Sequence, residues 1–235
     1  NYLKFFSDSF YLKTFWITIK VSAIAALLTL FLGFPIAYVV ARMKSKLAMF
    51  LLAGIVVSTF VTIVIKVFGL IIIFSADGLI NKTLLNLGLI ERAYSIIGTQ
   101  EGIVIGLMPF TIGFSVLLLY SVVVTVPASL EYAAQIHGAS RFRVYQRVII
   151  PLCAPGFVVG GLMIFNMCMG AFTSAALLGG GRILTLPVLV QRTVMMEVKY
   201  STAASIAFVL LVSVILINLF SLIAIRRLRS ARLVV

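Results

Sequence analysis

Side chains able to do covalent or metal chemistry are scarce in this chain. His137 is the only histidine, and the two cysteines, Cys153 and Cys168, stand 15 residues apart, which matches no metal or redox spacing. Both cysteines read as small buried hydrophobes. Hydrolysis inside a membrane needs paired carboxylates, a histidine-rich metal set, or a nucleophile with its base. No Asp or Glu lies deep in any apolar run, so neither a catalytic residue nor a metal site is expected. The run "GGGRILT" from Gly179 lacks the Gly-Lys-Ser/Thr ending of a phosphate loop. If this protein pumps, another chain hydrolyses the ATP.

What remains is polar chemistry spaced along apolar runs. Ser58, Thr59, Thr62 and Lys66 fall within about 100° of one another on a continuous helix. Asn166, Gly170, Thr173 and Ser174 make a comparable stripe further on, and Thr18, Ser22 and Thr29 make a thinner one. Polar faces of this kind either join helices to each other or line a wet path, and the pattern alone leaves both readings open. Lys66 needs water or a partner, unless it snorkels toward the outer boundary. Gly179, Gly180, Gly181 and Arg182, followed by an amphipathic run ending near Met196, form either a flexible external loop with a surface helix or an outer gate or docking surface. Pro35 and Pro109 stand inside apolar runs and are expected to bend them.

The elements that must position these residues are membrane spans. The chain is 63% hydrophobic and 11% charged, with a mean hydropathy of +1.22, a composition outside the soluble range. A spanning helix needs roughly 20 apolar residues. Five stretches qualify, at about 15–41, 47–76, 102–126, 156–178 and 202–225. They are long and apolar all round, unlike the short alternating strands of a barrel. The expected fold is therefore all-α, a single polytopic membrane bundle over 1–235.

A net charge of +13 raises the question of nucleic acid. Its distribution answers with the positive-inside rule instead, so lipid and not nucleic acid is the expected partner. One set of connections holds Arg42, Lys44, Lys46, Arg141, Arg143, Arg147, Arg226, Arg227, Arg229 and Arg232 against the single acid Glu131. That face is read as cytoplasmic. The other carries Asp8, Asp77, Glu91, Glu101 and Glu197 among Lys4, Lys13, Lys82, Arg92, Arg182, Arg192 and Lys199, close to balance. This orientation leaves residue 1 outside, and that residue is Asn; one further span upstream of Asn1 is expected, with no cleavable signal peptide.

The stretch "EYAAQIHGASRFRVYQRVIIP", 131–151, lies between the third and fourth spans. Pro127 suits the first turn of a helix, Glu131 its positive N-terminus, and Gly138 its stop. Leu130, Ala133, Ala134 and His137 share one shallow face. Ser140 can cap a second helix carrying Phe142, Tyr145 and Ile149 on one side and Arg143 with Arg147 on the other, which Pro151 is expected to end. Helices this short need packing to persist. The residues leave two readings: a docking element, or a basic hairpin resting on anionic headgroups.

The pattern "EYAA…G", with Val148, Ile150 and Pro151 at its end, resembles the EAA loop of ATP-binding-cassette importer permeases. In that loop Glu-Ala-Ala is followed after three residues by Gly, and after nine more by Ile-x-Leu-Pro. Ala133, Ala134, Gly138 and Pro151 agree with it, whereas Tyr132 stands at the glutamate position and Glu131 comes one residue early. "IVIKVFGLIIIFSADGLINKTLLNLGLI", "LMPFTIGFSVLLLYS" and "MGAFTSAALLGGG" are similar to the spermidine/putrescine-type permeases and their relatives.

The resemblance implies a six-helix, multi-pass subunit of the bacterial inner membrane that imports a small polar solute and is not itself an enzyme. Its implied partners are a second permease, identical or homologous, two cytoplasmic ATPases and an extracytoplasmic solute-binding protein. ATP and Mg would sit on the ATPases and no cofactor on this chain. Glu131, Tyr132, Ala133, Ala134, Gly138, Val148, Ile150 and Pro151 would then form the ATPase-coupling loop, 127–152. Ser58, Thr59, Thr62, Lys66, Asn166, Thr173 and Ser174 are candidates for the path, and Gly179 to Arg182 for an outer gate. The absence of carboxylates in the spans means that a partner supplies them or that the solute is not a polycation; Lys66, Arg182 and Arg192 would suit an anionic or zwitterionic solute such as an amino-acid derivative, phosphonate or opine-like compound. The competing reading is a secondary transporter or channel without an ATPase, which would be expected to show buried carboxylates or an inverted repeat of broken helices.

Overall fold

A computed structural model describes residues 2–232, with side chains described from 5 to 223. Asn1 and the side chains of Lys4, Arg226, Arg227, Arg229 and Arg232 lie outside the described residues. The described chain is an all-α bundle, and no strand occurs within it. A short helix α1 (Tyr2–Ser7) leads into α2 (Ser9–Arg42), where the Asp8 side chain accepts from the Phe10 amide at 2.9 Å and so fixes the start. Next come α3 (Lys46–Phe60), α4 (Ile63–Phe74) and α5 (Leu79–Asn86). The helix α6 (Gln100–Val124) is capped by Thr99, whose hydroxyl accepts from the Gly102 amide at 3.0 Å. After α7 (Ala128–Ile136) and α8 (Arg141–Val144), a π-turn over Tyr145–Ile149 runs into α9 (Ile150–Met169). α10 (Thr173–Leu178), α11 (Leu186–Met195) and α12 (Tyr200–Arg232) complete the chain.

Five stretches among the described residues are long and apolar enough to cross a membrane: Ser9–Arg42, Ile63–Asn86, Gln100–Val124, Arg141–Met169 and Tyr200–Ile223. The shorter apolar helix Lys46–Phe60 precedes the second.

Three expectations about continuity need correction. The second span is broken, because Val61 and Thr62 take extended backbone angles. Thr59 bonds its hydroxyl back to the Val56 carbonyl at 2.6 Å, and the β-branched run that follows is stiff, so the helix stops and restarts. The fourth span ends at Met169 and not at Leu178, since Gly170 and Ala171 interrupt it and α10 begins afresh at Thr173. Pro151 does not end the second cytoplasmic helix. The π-turn ahead of it shifts the ladder so that the Ile150 amide bonds Tyr145, five residues back, and the proline enters the next turn of a helix that continues to Met169.

Lipid tails are as apolar as leucine, so these helices must be joined by close packing and hydrogen bonds. The core is a three-helix contact of α2, α6 and α9, built from Val21, Ala25, Leu30 and Phe34, Ile103, Leu107 and Leu119, and Cys153 and Ile164. Small residues set the distances. A side chain on Gly33 would lie 2.7 Å from the Ser115 hydroxyl, and one on Gly156 would meet both methyls of Val122 at 2.5 and 2.6 Å. Hydroxyls follow the same seam: Thr29 and Thr111 share a hydrogen bond at 3.0 Å, and Ser115 donates to the Thr29 carbonyl at 3.4 Å. A second, outer cluster joins Phe5, Leu186, Leu189, Ile206 and Val209. Thr18 links the two clusters, accepting from the Leu186 amide at 2.9 Å and thereby capping α11.

Gly156 yields a packing test. Val122 is β-branched and packs, partly buried, against α9, so Gly156→Val forces α6 and α9 apart and should cost about 1–3 kcal/mol. The expected result is a lower Tm in detergent, partly restored by adding Val122→Ala.

Candidate functional site

The end of the bundle that carries Arg42 and the arginine-rich 131–151 stretch is organised by one charge pair. Arg42, the last residue of α2, donates from Nε to Oε1 of Glu131 at 2.6 Å and from Nη2 to the Val126 carbonyl at 2.9 Å. The Tyr38 hydroxyl donates to the other carboxylate oxygen, Oε2, at 2.8 Å. Glu131 sits in the first turn of α7, where the helix dipole also favours its charge, and is buried. Tyr38 in turn meets the Tyr145 ring at 5.1 Å, and Phe34 meets Tyr145 at 5.4 Å and Phe157 at 4.5 Å. The end of α2, the end of α6, the start of α7 and the π-turn are therefore held in one cluster.

Around this anchor the loop residues divide by exposure. Tyr132, Ala133, His137 and Gly138 are exposed, as is Pro151, while Ala134, Val148 and Ile150 are partly covered. Gly138 has φ +80°, the left-handed conformation that ends α7, and nothing crowds its Cβ position. Ser140 then caps α8, accepting from the Arg143 amide at 3.4 Å. The expected bend at Gly138 is thus present between α7 and α8. The result is a helix whose inward residue, Glu131, is bonded to the bundle and whose tyrosine, first alanine and glycine face outward.

The polar residues of the second and fourth spans do not form the stripes that an unbroken helix would give them, whereas Thr18, Ser22 and Thr29 do share the continuous α2. Ser58 and Thr59 end α3, Thr62 is the N-cap residue of α4, and Lys66 lies in the first turns of α4, so the four belong to two helices. Ser58, Thr59 and Thr62 are exposed on this chain, and the Thr59 methyl packs against Gly113 of α6. Lys66 donates to the Pro109 carbonyl at 3.2 Å, linking α4 to α6 at the proline. Asn166 and Asn218 exchange amide hydrogen bonds at 3.1 Å, which ties α9 to α12. Gly170 lies in the break after α9, and Thr173 and Ser174 open α10; Ser174 is fully buried, near Gly106 of α6. Thr18, Ser22 and Thr29 are likewise buried inside the bundle.

The outer glycines form a packed turn. Gly180 and Gly181 have φ +55° and +70°, and Gly180 abuts the backbone of Gly98, whose amide donates to the Leu178 carbonyl at 2.7 Å. Arg182 lies along Gly98 and is exposed. The external loop before it is clasped by Asn81, whose side chain donates to the Ser75 and Tyr94 carbonyls and accepts from the Tyr94 amide.

Tyr38 and the specific role of Arg42 escaped sequence reasoning, because 89 residues separate Arg42 from Glu131 and no local spacing links them. One signal was available: Glu131 is the single acid on a face of ten cations, and such a charge demands a partner.

Residues 30–230 match the family model described as the binding-protein-dependent transport system inner membrane component. The chain belongs to this family. It is thus a multi-pass protein of the bacterial inner membrane. Curated family members similar to it include the spermidine/putrescine transport system permease protein PotB of Haemophilus influenzae, 30% identical over 184 residues, or 78% of this chain and 64% of that protein. PotB of Escherichia coli K12 is 33% identical over 175 residues, 74% of this chain and 64% of that protein. The chain spans less than two thirds of the length of either PotB. Among solved structures, a bacterial ABC transporter involved in the import of the acidic polysaccharide alginate superposes with a TM-score of 0.80 at 16% identity, covering 96% of this chain and 82% of that one. The inward-facing MetNI methionine transporter gives 0.67 at 17% identity, with 92% and 94% covered. At these identities the likeness is one of fold.

The anchor generates a prediction. Glu131→Ala leaves the Arg42 guanidinium and Tyr38 hydroxyl without their acceptor and should destabilise the cytoplasmic corner by roughly 1–3 kcal/mol. Amide hydrogen exchange across α7 should quicken while exchange in the α2–α6 seam stays slow.

Proposed function

We propose that this chain is a transmembrane permease subunit of an ATP-driven importer, translocating a small polar solute handed over by an external solute-binding protein. The observation that carries the reading is α7: a short helix bonded to the bundle through Glu131, presenting Tyr132, Ala133 and Gly138 to the cytoplasm. Small residues there let a partner approach closely, and a helix held so firmly at one side passes a push to α2 and α6. The partner is a cytoplasmic ATPase, one for each of two permease chains, with ATP and Mg bound on the ATPase. Val148, Ile150 and Pro151 carry the motion into α9 through the π-turn. Family membership supports this reading over a secondary transporter or channel.

Tyr132 takes the docking position that the family pattern gives to a glutamate, while Glu131 serves as the internal anchor. The path runs beside the broken spans, where Ser58, Thr59, Thr62 and Lys66 come from the α3–α4 junction and Asn166 and Thr173 flank the α9–α10 junction. The turn from Gly179 to Arg182, packed on Gly98, acts as the outer gate. The names of the curated relatives favour a polyamine as solute. The lysine at the α4 start favours an anionic or zwitterionic one instead.

Gly138→Asp tests the docking role. The open space at Gly138 accepts a side chain, and aspartate tolerates the left-handed conformation better than most residues. The variant should insert and keep its Tm while transport driven by ATP falls at least tenfold, on the order of a lost interface anchor. Solute accumulation at the parental rate would refute the assignment.

A further inference from the structure

The outer ends of α2 and α6 hold a groove whose residues, Arg182 at its edge apart, the transport reading does not use. A cleft of about 630 Å³ is lined by Lys13, Trp16, Ile17, Ile19, Lys20 and Gln100. It adjoins a second, of about 340 Å³, through the shared residues Lys20 and Gln100; there the walls are Ile24, Leu28, Val104 and Ile105, with Glu101 at the rim. A third, of about 250 Å³, shares Lys13 and Gln100 and adds Arg182.

Depth along α2 defines what meets this groove. Arg42 marks the cytoplasmic end of α2, and Lys20, 22 residues earlier, stands about 33 Å above it at 1.5 Å per residue. That rise matches the roughly 30 Å hydrocarbon thickness of a bilayer and puts the Lys20 ammonium at the outer headgroup level. Gln100, the first residue of α6, lies at the same boundary. Lys13 stands about 10 Å further out, and Leu28 about 12 Å deeper, close to the depth of one leaflet. Trp16, 65% exposed, occupies the interfacial position that indole rings favour. The groove is therefore apolar where acyl chains run and cationic where phosphates lie.

We infer that this groove is a binding site for an outer-leaflet anionic phospholipid, its phosphate between Lys13 and Lys20 and one acyl chain along Ile24, Leu28, Val104 and Ile105. The charges facing the headgroup are Lys13, Lys20 and Arg182 against Glu101, which leaves a net positive field. Gln100 donates or accepts at the ester level. A zwitterionic lipid fills the apolar part equally well and gains less from the lysines, so the site discriminates by headgroup charge.

Native mass spectrometry tests this on protein purified from its native membrane and exchanged into nanodiscs of equal phosphatidylglycerol and phosphatidylcholine. The parent should retain phosphatidylglycerol preferentially, and the preference should weaken as salt rises. Lys13→Gln and Lys20→Gln should each lower the preference about fivefold, the factor equivalent to about 1 kcal/mol per cation near a membrane surface. Lys82→Gln, on α5, should leave it unchanged. Equal retention of both lipids by the parent, or an unaltered preference in the Lys13→Gln/Lys20→Gln double variant, overturns the site. So does efficient cross-linking of a cysteine at Leu28 to a second protein chain, which would show the groove covered by protein.

Discussion

A guanidinium with two jobs holds the cytoplasmic end of this bundle in register. Arg42 neutralises Glu131 and also donates to the Val126 carbonyl just beyond the last turn of α6, where helix carbonyls lack partners and cations are favoured. Both oxygens of Glu131 are occupied, one by Arg42 and one by Tyr38. The pair is largely withdrawn from solvent, so removing either partner leaves the other unsatisfied. Its importance lies in what it joins, because three helix ends converge on it and the Tyr38–Tyr145 contact brings in the π-turn that leads to α9. These contacts tie α7 to the ends of α2 and α6 and to the π-turn.

The outer half has α6 as its mast. The broken second span leans on it through Lys66 at Pro109 and Thr59 at Gly113, and α10, beyond the break in the fourth span, packs Leu178 against Gly106. Breaks in membrane helices persist only where neighbours satisfy the freed backbone groups, and here one continuous helix backs both interrupted spans. The glycines of α6 are thus contact points that allow segments of other helices to come close. The α2–α6–α9 seam runs through both halves of the bundle, and the interrupted spans are fastened to α6 at Pro109, Gly113 and Gly106.

Apolar length made the spans legible, since it is a one-dimensional property of the chain. The bend at Gly138 and the cap at Ser140 were legible for the same reason, each depending on a residue and its immediate neighbours. Continuity was not. Hydropathy cannot distinguish an unbroken span from one interrupted at Val61–Thr62, because the interruption is itself made of apolar and hydroxyl residues. Pro151 was misleading for a related reason: a proline stops a regular helix, and a π-turn removes the conflict without any sequence marker of its own. The Arg42–Glu131–Tyr38 cluster lay beyond reach because its members come from α2 and α7, and only the fold brings them together.

The Arg42–Glu131 anchor implies that α7 and the end of α2 move as one body. Spin labels at Gln135 on α7 and Lys44 just beyond α2 report on it directly, through their distance distribution in the transporter with and without nucleotide. If the two helices do so, the labels give one narrow distribution, unchanged between the two states. A distribution that shifts or broadens on nucleotide binding, while the bundle itself changes conformation, would contradict it.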